Sequence, residues 1–443
     1  MRLDWKEAIG EGDQLAETAA TAAIRDEGGL VTIRLPVWWT FGGLVAGLFT
    51  GLLLAGGLVI DTVLELTRPV GTLWLRALQM TIIPLVAALL VLGIVKMITA
   101  ASAGRTAVLT IASIAGLLLF SGIVSVIAMP LLLDAFPPPP GAGGIFDAPE
   151  AQAQEVPTIG DFIASLIAPN IIQAAAETST LPLTIFFALF AVAVARLPAS
   201  QKATMLAFFE ALANTMLTII GWVLWVAPIG VFALAVGVAA RAGSGAFATL
   251  AHYILTVSAM GAIVLAAAYL VAIFGGGIAL LRFARSVLPA QAVAISTQSS
   301  LASLPAMLDS ARRLRIREEV ADFVLPLAVA IFRVTSPAMN LAVAIYVANL
   351  AGIELTPMLL AAGIAVAFII SIGSVSLPGS ISFVISIGPI ALAMGVPIEP
   401  LAVLVAVEML PDIMRTLANV TMNVALTSAI DRENSEDMQP QAN

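Results

Sequence analysis

The last apolar stretch of the chain, Leu401–Ile430, carries its densest set of groups able to do chemistry: Glu408, Asp412, Arg415, Thr416, Asn419 and Asn423. Relative to Asp412 the others sit at −4, +3, +4, +7 and +11, which on a helix is one face. A guanidinium such as that of Arg415 offers a planar fork that takes a carboxylate through two parallel hydrogen bonds. Asp412 can hold an ammonium, and Thr416 and Asn419 add hydrogen bonds. Such a set suits a small solute carrying both signs of charge. The competing reading is an internal Asp412–Arg415 pair that only holds helices together, which leaves the amides unexplained.

The elements that must position this face are set by composition. The chain has 443 residues, 60% hydrophobic and 11% charged, with a net charge of −8 and a mean hydropathy of +1.04. Soluble domains run at about 45–50% apolar and about 25% charged, so this is a polytopic membrane protein, expected in the cell inner (plasma) membrane. Each ionised group at bilayer centre then costs about 2.5–3.5 kcal/mol on insertion scales, and Glu408, Asp412 and Arg415 need a reason to be there. The absence of cysteine excludes disulfides, thiolate metal sites and a cysteine nucleophile. No HExxH and no credible GxSxG elbow occurs, so an enzyme is not expected. His252, the one histidine, lies near a span end and reads as an interfacial residue rather than a proton relay. Trp38, Trp39, Trp222 and Trp225 read as interface anchors or packing, and Arg76 and Lys96 as snorkelling or span-end residues.

Apolar runs long enough to span occur at Val37–Ile60, Gly71–Lys96, Thr106–Leu133, Thr158–Ala195, Ala203–Ala240, Gly245–Leu281, Val320–Leu350 and Leu401–Ile430. Thr158–Ala195, Ala203–Ala240 and Gly245–Leu281 exceed one simple span, so tilt, kinks at Pro169, Pro182 and Pro228, or broken helices are expected. Bases gather at Lys96/Arg105, Arg196/Lys202, Arg282/Arg285 and Arg312–Arg317, whereas Asp134–Pro157 and Ala351–Pro357 carry none. The asymmetry predicts cytoplasmic N- and C-termini. Two further segments are interrupted by polar runs at their middle: Val287–Met307 by Ser296-Thr-Gln-Ser-Ser-Leu-Ala-Ser-Leu-Pro305, and Leu355–Val396 by Gly373-Ser-Val-Ser-Leu-Pro-Gly-Ser-Ile-Ser382. The first enters and leaves on the basic side and is too short to cross twice, so it is expected to be a re-entrant hairpin. Loop charge leaves the second open between a hairpin and two spans. Paired interrupted segments are the usual pointer to a transporter's binding site.

These residues resemble the dicarboxylate/amino acid:cation symporter family, the bacterial relatives of glutamate transporters, from about Val37 to Ala429. The resemblance is carried by Gln79-Met-Thr-Ile-Ile-Pro84-Leu-Val, Pro169-Asn170 with Leu181–Leu189, Ala227-Pro-Ile-Gly-Val-Phe232, the serine-rich tip Thr297–Pro305, Leu377-Pro-Gly379, and Asp412-Ile-Met-Arg415-Thr416 with Asn419. It implies an all-α protein of eight transmembrane helices plus two re-entrant hairpins, built on inverted repeats, that works as a homotrimer by an elevator motion. The implied organisation is a cytoplasmic segment 1–34, mainly scaffold helices over 35–280 with 71–133 partly in the transport domain and an external loop 134–157, a transport core over 281–430 with hairpins at about 286–311 and 355–396, and a disordered tail 431–443. By resemblance, Arg415 binds a side-chain carboxylate and Asp412 the amino group. Thr416 and Asn419 bind the substrate's other polar groups, and Ser299, Ser300, Ser376, Pro378 and Gly379 close the site.

Departures from the family pattern bear on coupling. The Asn-Met-Asp-Gly-Thr motif that forms cation sites in the family falls, counted without gaps, on Phe332-Arg333-Val334-Thr335-Ser336. The second acidic cation ligand is Asn423. Cation sites need oxygen ligands and usually net negative charge, so sodium coupling is doubtful. Either Arg333 replaces a bound cation, leaving transport sodium-independent or proton-linked with Glu408 and Asp412 as proton carriers, or it pairs with one of those carboxylates. Thr335, Ser336 and Asn423 complete the expected coupling set; no cofactor, metal site or nucleic-acid partner is expected. The expected function is symport of an acidic amino acid such as glutamate or aspartate, with cystine or a C4-dicarboxylate as alternatives and an anion channel ranked below them.

Overall fold

In lipid every backbone N–H and C=O needs a partner inside the protein, which favours helices for a sequence this apolar. The computed structural model describes residues 37–54, 60–102, 104–139, 142, 164, 166–177, 179–242, 245–373 and 379–436, and its regular elements there are all helical. The expected segment 1–34, most of the loop 134–157, and Ser376 and Pro378 fall outside those residues. The first helices are α1 (Val37–Leu54), α2 (Ile60–Ala101), α3 (Arg105–Ala135), α4 (Ile171–Ala176), α5 (Thr180–Ala195), α6 (Ala199–Trp225), α7 (Ala227–Ala242) and α8 (Gly245–Leu270), the last ending in one π-helical turn. Then come α9 (Leu280–Thr297), α10 (Leu304–Leu314), α11 (Glu318–Ile331), α12 (Thr335–Leu350), α13 (Pro357–Gly373), α14 (Gly379–Ala393), the short α15 (Leu401–Leu404) and α16 (Met409–Glu436). Among the described residues, five helical segments are long and apolar enough to cross a membrane, including Ile60–Ala101 and Glu318–Leu350.

The expected prolines act, but each in its own way. Ala203–Ala240 is two helices, because Pro228 has no N–H to donate and restricts the residue before it. The carbonyl of Val223 left at that break accepts from Trp74 Nε1 at 2.9 Å, and the Trp74 ring lies over Gly230, where a Cβ would come within 2.3 Å of it. Pro182 sits in the first turn of α5 and does not kink it. Pro169 precedes α4, whose start is capped by the Asn170 side chain. Trp39, Trp222 and Trp225 are exposed, in keeping with outward-facing anchors.

Helix α1 lies along α7 through a ladder of small residues. A Cβ on Gly43, Gly47 or Gly51 would fall 2.4–2.5 Å from the carbonyl oxygens of Pro228, Phe232 and Val236 respectively. Both sets repeat every four residues, so the two backbones touch over two turns, the close approach that small residues allow in lipid.

Both interrupted segments fold as paired helices. Helix α9 ends with Gln298 in the left-handed region (φ 50°) and packs against α10, so this helix pair spans 280–314 and contains the expected 286–311. Helices α13 and α14 also pack together; with 17 and 15 residues they reach about 22–26 Å at 1.5 Å per residue.

Two expectations for the C-terminal region are corrected. Leu401–Ile430 is not one helix. Pro411 cannot donate to the Val407 carbonyl, and Leu410 N takes that acceptor instead at 3.1 Å, so the backbone turns through 405–408 before α16 begins. The tail is not disordered from residue 431: α16 runs to Glu436, held by Arg317 Nε to Asp431 Oδ1 at 2.7 Å, Arg317 Nη2 to the Asp431 carbonyl at 3.0 Å, and Asn434 Nδ2 to Thr106 Oγ1 at 3.3 Å.

Gly47→Leu is expected to force α1 off α7 and lower stability by about 1–3 kcal/mol, the usual range for overpacking. Gly42→Leu, with nothing within 4 Å of its added Cβ, is expected to leave it unchanged. Thermal unfolding of the two variants in the same detergent is the comparison.

Candidate functional site

The site begins with a gap in the most buried span. Helix α11 stops at Ile331, Phe332 is extended (φ −111°, ψ 112°), and α12 restarts at Thr335. Every residue from Thr335 to Ala348 is buried, so backbone groups opened by the gap need partners from neighbouring helices. The Thr335 N–H donates to Asn419 Oδ1 of α16 at 3.0 Å. The hydroxyl of Ser121, on α3, inserts between an i, i+4 backbone pair: it donates to the Val334 carbonyl and accepts from Ala338 N at 3.1 Å. One turn on, Ser125 Oγ donates to the Ala338 carbonyl at 2.7 Å.

Arg415 fills the space behind this gap. Its Nη2 donates to Glu408 Oε1 at 2.5 Å and its Nη1 to Asn340 Oδ1 at 2.7 Å, while Nε lies 3.4 Å from Asp412 Oδ1. Asn340 Nδ2 donates in turn to Ser336 Oγ at 3.0 Å, and Tyr253 Oη on α8 donates to Glu408 Oε2 at 3.3 Å. Glu408, Asp412, Arg415, Thr416 and Asn419 are all less than 9% exposed. Two carboxylates and one guanidinium therefore close on each other, with neutral amide and hydroxyl groups filling the remaining positions. Glu408 reaches this set from the turn before α16, and its carbonyl still accepts from Asp412 N at 2.9 Å, which preserves the expected spacing.

The remaining predicted residues divide. Asp412, Arg415, Asn419, Glu408, Thr335 and Ser336 come together, with Thr416 buried beside them on α16. Arg333 is half-buried in the gap; among the described residues no carboxylate oxygen lies within 4 Å of it, and Asp412 is the carboxylate whose charge it feels. Ser299 and Ser300 lie half-buried in the tip between α9 and α10. The Ser299 hydroxyl accepts from Ala302 N at 3.2 Å and its carbonyl from Ser303 Oγ at 2.8 Å, so it shapes the tip. Gly379 opens α14. Asn423 is 1% exposed, and neither its amide nitrogen nor its amide oxygen has a hydrogen-bond partner among the described residues. Asn340, Tyr253, Ser121 and Ser125 belong to the site and were not singled out from sequence. Asn340 alone left a signal, a lone amide within a buried apolar run.

A family model described as the sodium:dicarboxylate symporter family matches residues 37–433. The chain belongs to that family. Relatives within it include a proton/sodium-glutamate symport protein of Bacillus subtilis, 27% identical over 401 residues covering 86% of this chain and 89% of the relative. A proton/glutamate-aspartate symporter of Escherichia coli is 26% identical, covering 82% and 84%. A C4-dicarboxylate transport protein of Anaeromyxobacter is 24% identical, covering 83% and 84%. Symporter-family membership matches the resemblance carried by the motifs.

Removing one partner of a buried ion pair strands the other. Arg415→Met is expected to destabilise this symporter-family chain by about 3–5 kcal/mol, and the double variant Glu408→Gln/Arg415→Met by clearly less. Unfolding of the purified variants without substrate checks the pair of values.

Proposed function

We propose that the chain is a secondary active transporter that takes up an acidic amino acid at the Asp412–Arg415–Asn419 face, coupled to protons rather than sodium. The observation that carries this is Arg415, a buried guanidinium whose carboxylate partners are both internal. A substrate carboxylate replaces Glu408 on the fork, the substrate ammonium takes the Asp412 position nearest it, and Thr416 and Asn419 bind what remains. The glutamate and glutamate-aspartate relatives support this substrate class. Glu408, released from Arg415 and still bonded by Tyr253, takes the coupled proton.

For the coupling ion, three positions argue together. Val334 and Asn423 stand where the resemblance implies carboxylates, and Arg333 brings a positive charge into the gap. Asn423 offers one neutral oxygen, and among the described residues its side chain has no hydrogen-bond partner. Arg333 standing in for a bound cation fits these facts. The wider architecture belongs to the same reading: eight transmembrane helices with re-entrant hairpins at α9–α10 and α13–α14, whose arms are short against a hydrocarbon core of about 30 Å. The same proposal includes a homotrimer in the inner membrane, with a scaffold within 35–280, a transport core within 281–430, and both termini cytoplasmic.

A C4-dicarboxylate is the second reading. Asp412 already has Arg415 Nε at 3.4 Å, so a substrate without an amino group leaves it paired, and a relative carries that name.

Uptake by proteoliposomes of L-glutamate, L-aspartate, cystine and succinate, each with and without a sodium or proton gradient, tests the proposal. Acidic amino acid uptake driven by the proton gradient in sodium-free buffer is expected, and a strict sodium requirement overturns the coupling. Asp412→Asn separates the two substrate readings. Loss of a charged hydrogen bond worth about 1.5–3 kcal/mol raises the amino acid KM about 10–100-fold, while a dicarboxylate KM stays unchanged or falls.

A further inference from the structure

His252 lies outside the Arg415 set, half-buried on α8, and holds partners on two other elements. Its Nδ1 is 3.0 Å from Tyr346 Oη on α12, and its Nε2 is 2.9 Å from the Phe136 carbonyl just past the end of α3. Tyr346 Oη also lies 3.2 Å from the carbonyl of Thr249, on α8 itself. The His252 and Tyr346 rings sit 5.6 Å apart, tilted by 31°.

Placing protons on these contacts gives two complete arrangements. A carbonyl only accepts, so Nε2 carries a proton toward Phe136 in both. With a neutral ring, the single hydroxyl proton of Tyr346 goes to Nδ1. With a doubly protonated ring, Nδ1–H donates to Tyr346 Oη, and the tyrosine turns its proton to the Thr249 carbonyl. A histidine that only braced these helices would need the first arrangement alone. The Thr249 carbonyl supplies the extra acceptor that the second one requires.

We propose that His252 is a proton-binding site that tightens the seam between α3, α8 and α12 when it is occupied. The proton comes from water, adds to Nδ1 and breaks no bond. It replaces an O–H···N contact with a charge-assisted N–H···O contact, which is roughly twice as strong, and adds the bond from Tyr346 to Thr249. The seam backs the Arg415 set from two directions. Helix α12 bears Ser336 and Asn340, and Tyr253, next to His252, donates to Glu408 and meets Tyr346 edge-on at 5.4 Å.

The titratable and charged groups described on elements packed against α8 are Tyr346 on α12, Asp134 at the near end of α3, and Glu408, Asp412 and Arg415 at the start of α16. Arg105 begins α3, Arg282 and Arg285 lie at the start of α9, and Asp431, Arg432 and Glu433 close α16. The immediate partners of the His252 ring, Tyr346 and two backbone carbonyls, are uncharged when a proton arrives.

The chain has one histidine, so protein labelled with 13C,15N-histidine and purified without a histidine tag gives one imidazole signal set. Between pH 8 and pH 5 in nanodiscs, the Nε2–H tautomer with a bare Nδ1 is expected to convert to a ring protonated on both nitrogens. Tyr346→Phe is expected to lower the ratio of charged to neutral ring about five- to tenfold at a given pH, the difference between a charged and a neutral hydrogen bond. A wild-type ring that stays neutral to pH 5, or that is the Nδ1–H tautomer when neutral, overturns the proposal whether or not the variant folds. So does a variant that titrates like the wild type. The readout contains no transport step, so it stands or falls separately from the substrate and coupling readings.

Discussion

The backbone gap between α11 and α12 is the constraint on which the rest of this structure depends. A continuous helix would satisfy its own N–H and C=O groups and need nothing from its neighbours. Once it opens at Phe332–Val334 in the most buried span, the groups released must be met by side chains, and Ser121 and Asn419 meet them. These bonds tie α3 and α16 to the same point. The gap also makes room for charged side chains at a depth where a closed helix would pack apolar ones, and Arg333 and Arg415 use that room. Irregular backbone at membrane depth and charge in lipid, each unfavourable alone, are here one feature.

Charge balance follows from that arrangement. Arg415 is ringed by Glu408, Asp412 and Asn340, so each nitrogen of its guanidinium faces an internal partner. A carboxylate that enters must exchange with one already present. In the proposed cycle the exchange leaves the number of paired charges unchanged and makes the released carboxylate the group whose fate decides coupling. Arg333 differs, since it is half-buried and among the described residues it has no ion-pair partner within 4 Å. One guanidinium is committed inside the protein, and the other is held by the field of the cluster.

Much of this was legible in the sequence. Composition gave the solvent, spacing placed Asp412, Arg415, Thr416 and Asn419 on one face, and serine-rich interruptions fell between the helices of two packed pairs. What escaped was long-range or backbone-borne. Tyr253 and Asn340 reach the Arg415 set from helices 155 and 75 residues away in sequence; the amide of Asn340 in an apolar run marks it as unusual, but no local pattern names the partner of either residue. Ser121 and Ser125 look like ordinary small residues of a membrane helix, and their role exists only because the backbone opposite them is broken. Pro411 and Pro337 were visible, yet a proline in the first turn of a helix is also tolerated without a break. The turn through 405–408 and the restart at Thr335 therefore emerged only with the neighbours in place.

The two asparagines on α16 show how such a site can change its dependence on a cation. Asn419 uses its oxygen to cap α12, a task any short acceptor could do. Asn423, one helical turn further on, has both polar atoms buried without partners among the described residues. A buried amide left so costs about 1–3 kcal/mol. An ionised carboxylate in the same place would cost several times more and would require a cation to be stable. In the proposed reading, an amide at 423 makes a cation dispensable to the fold, and a guanidinium at 333 makes an added cation unfavourable to the site. Either change alone would leave the charge count wrong by one. Together they keep the cluster of Arg333, Glu408, Asp412 and Arg415 neutral without an ion.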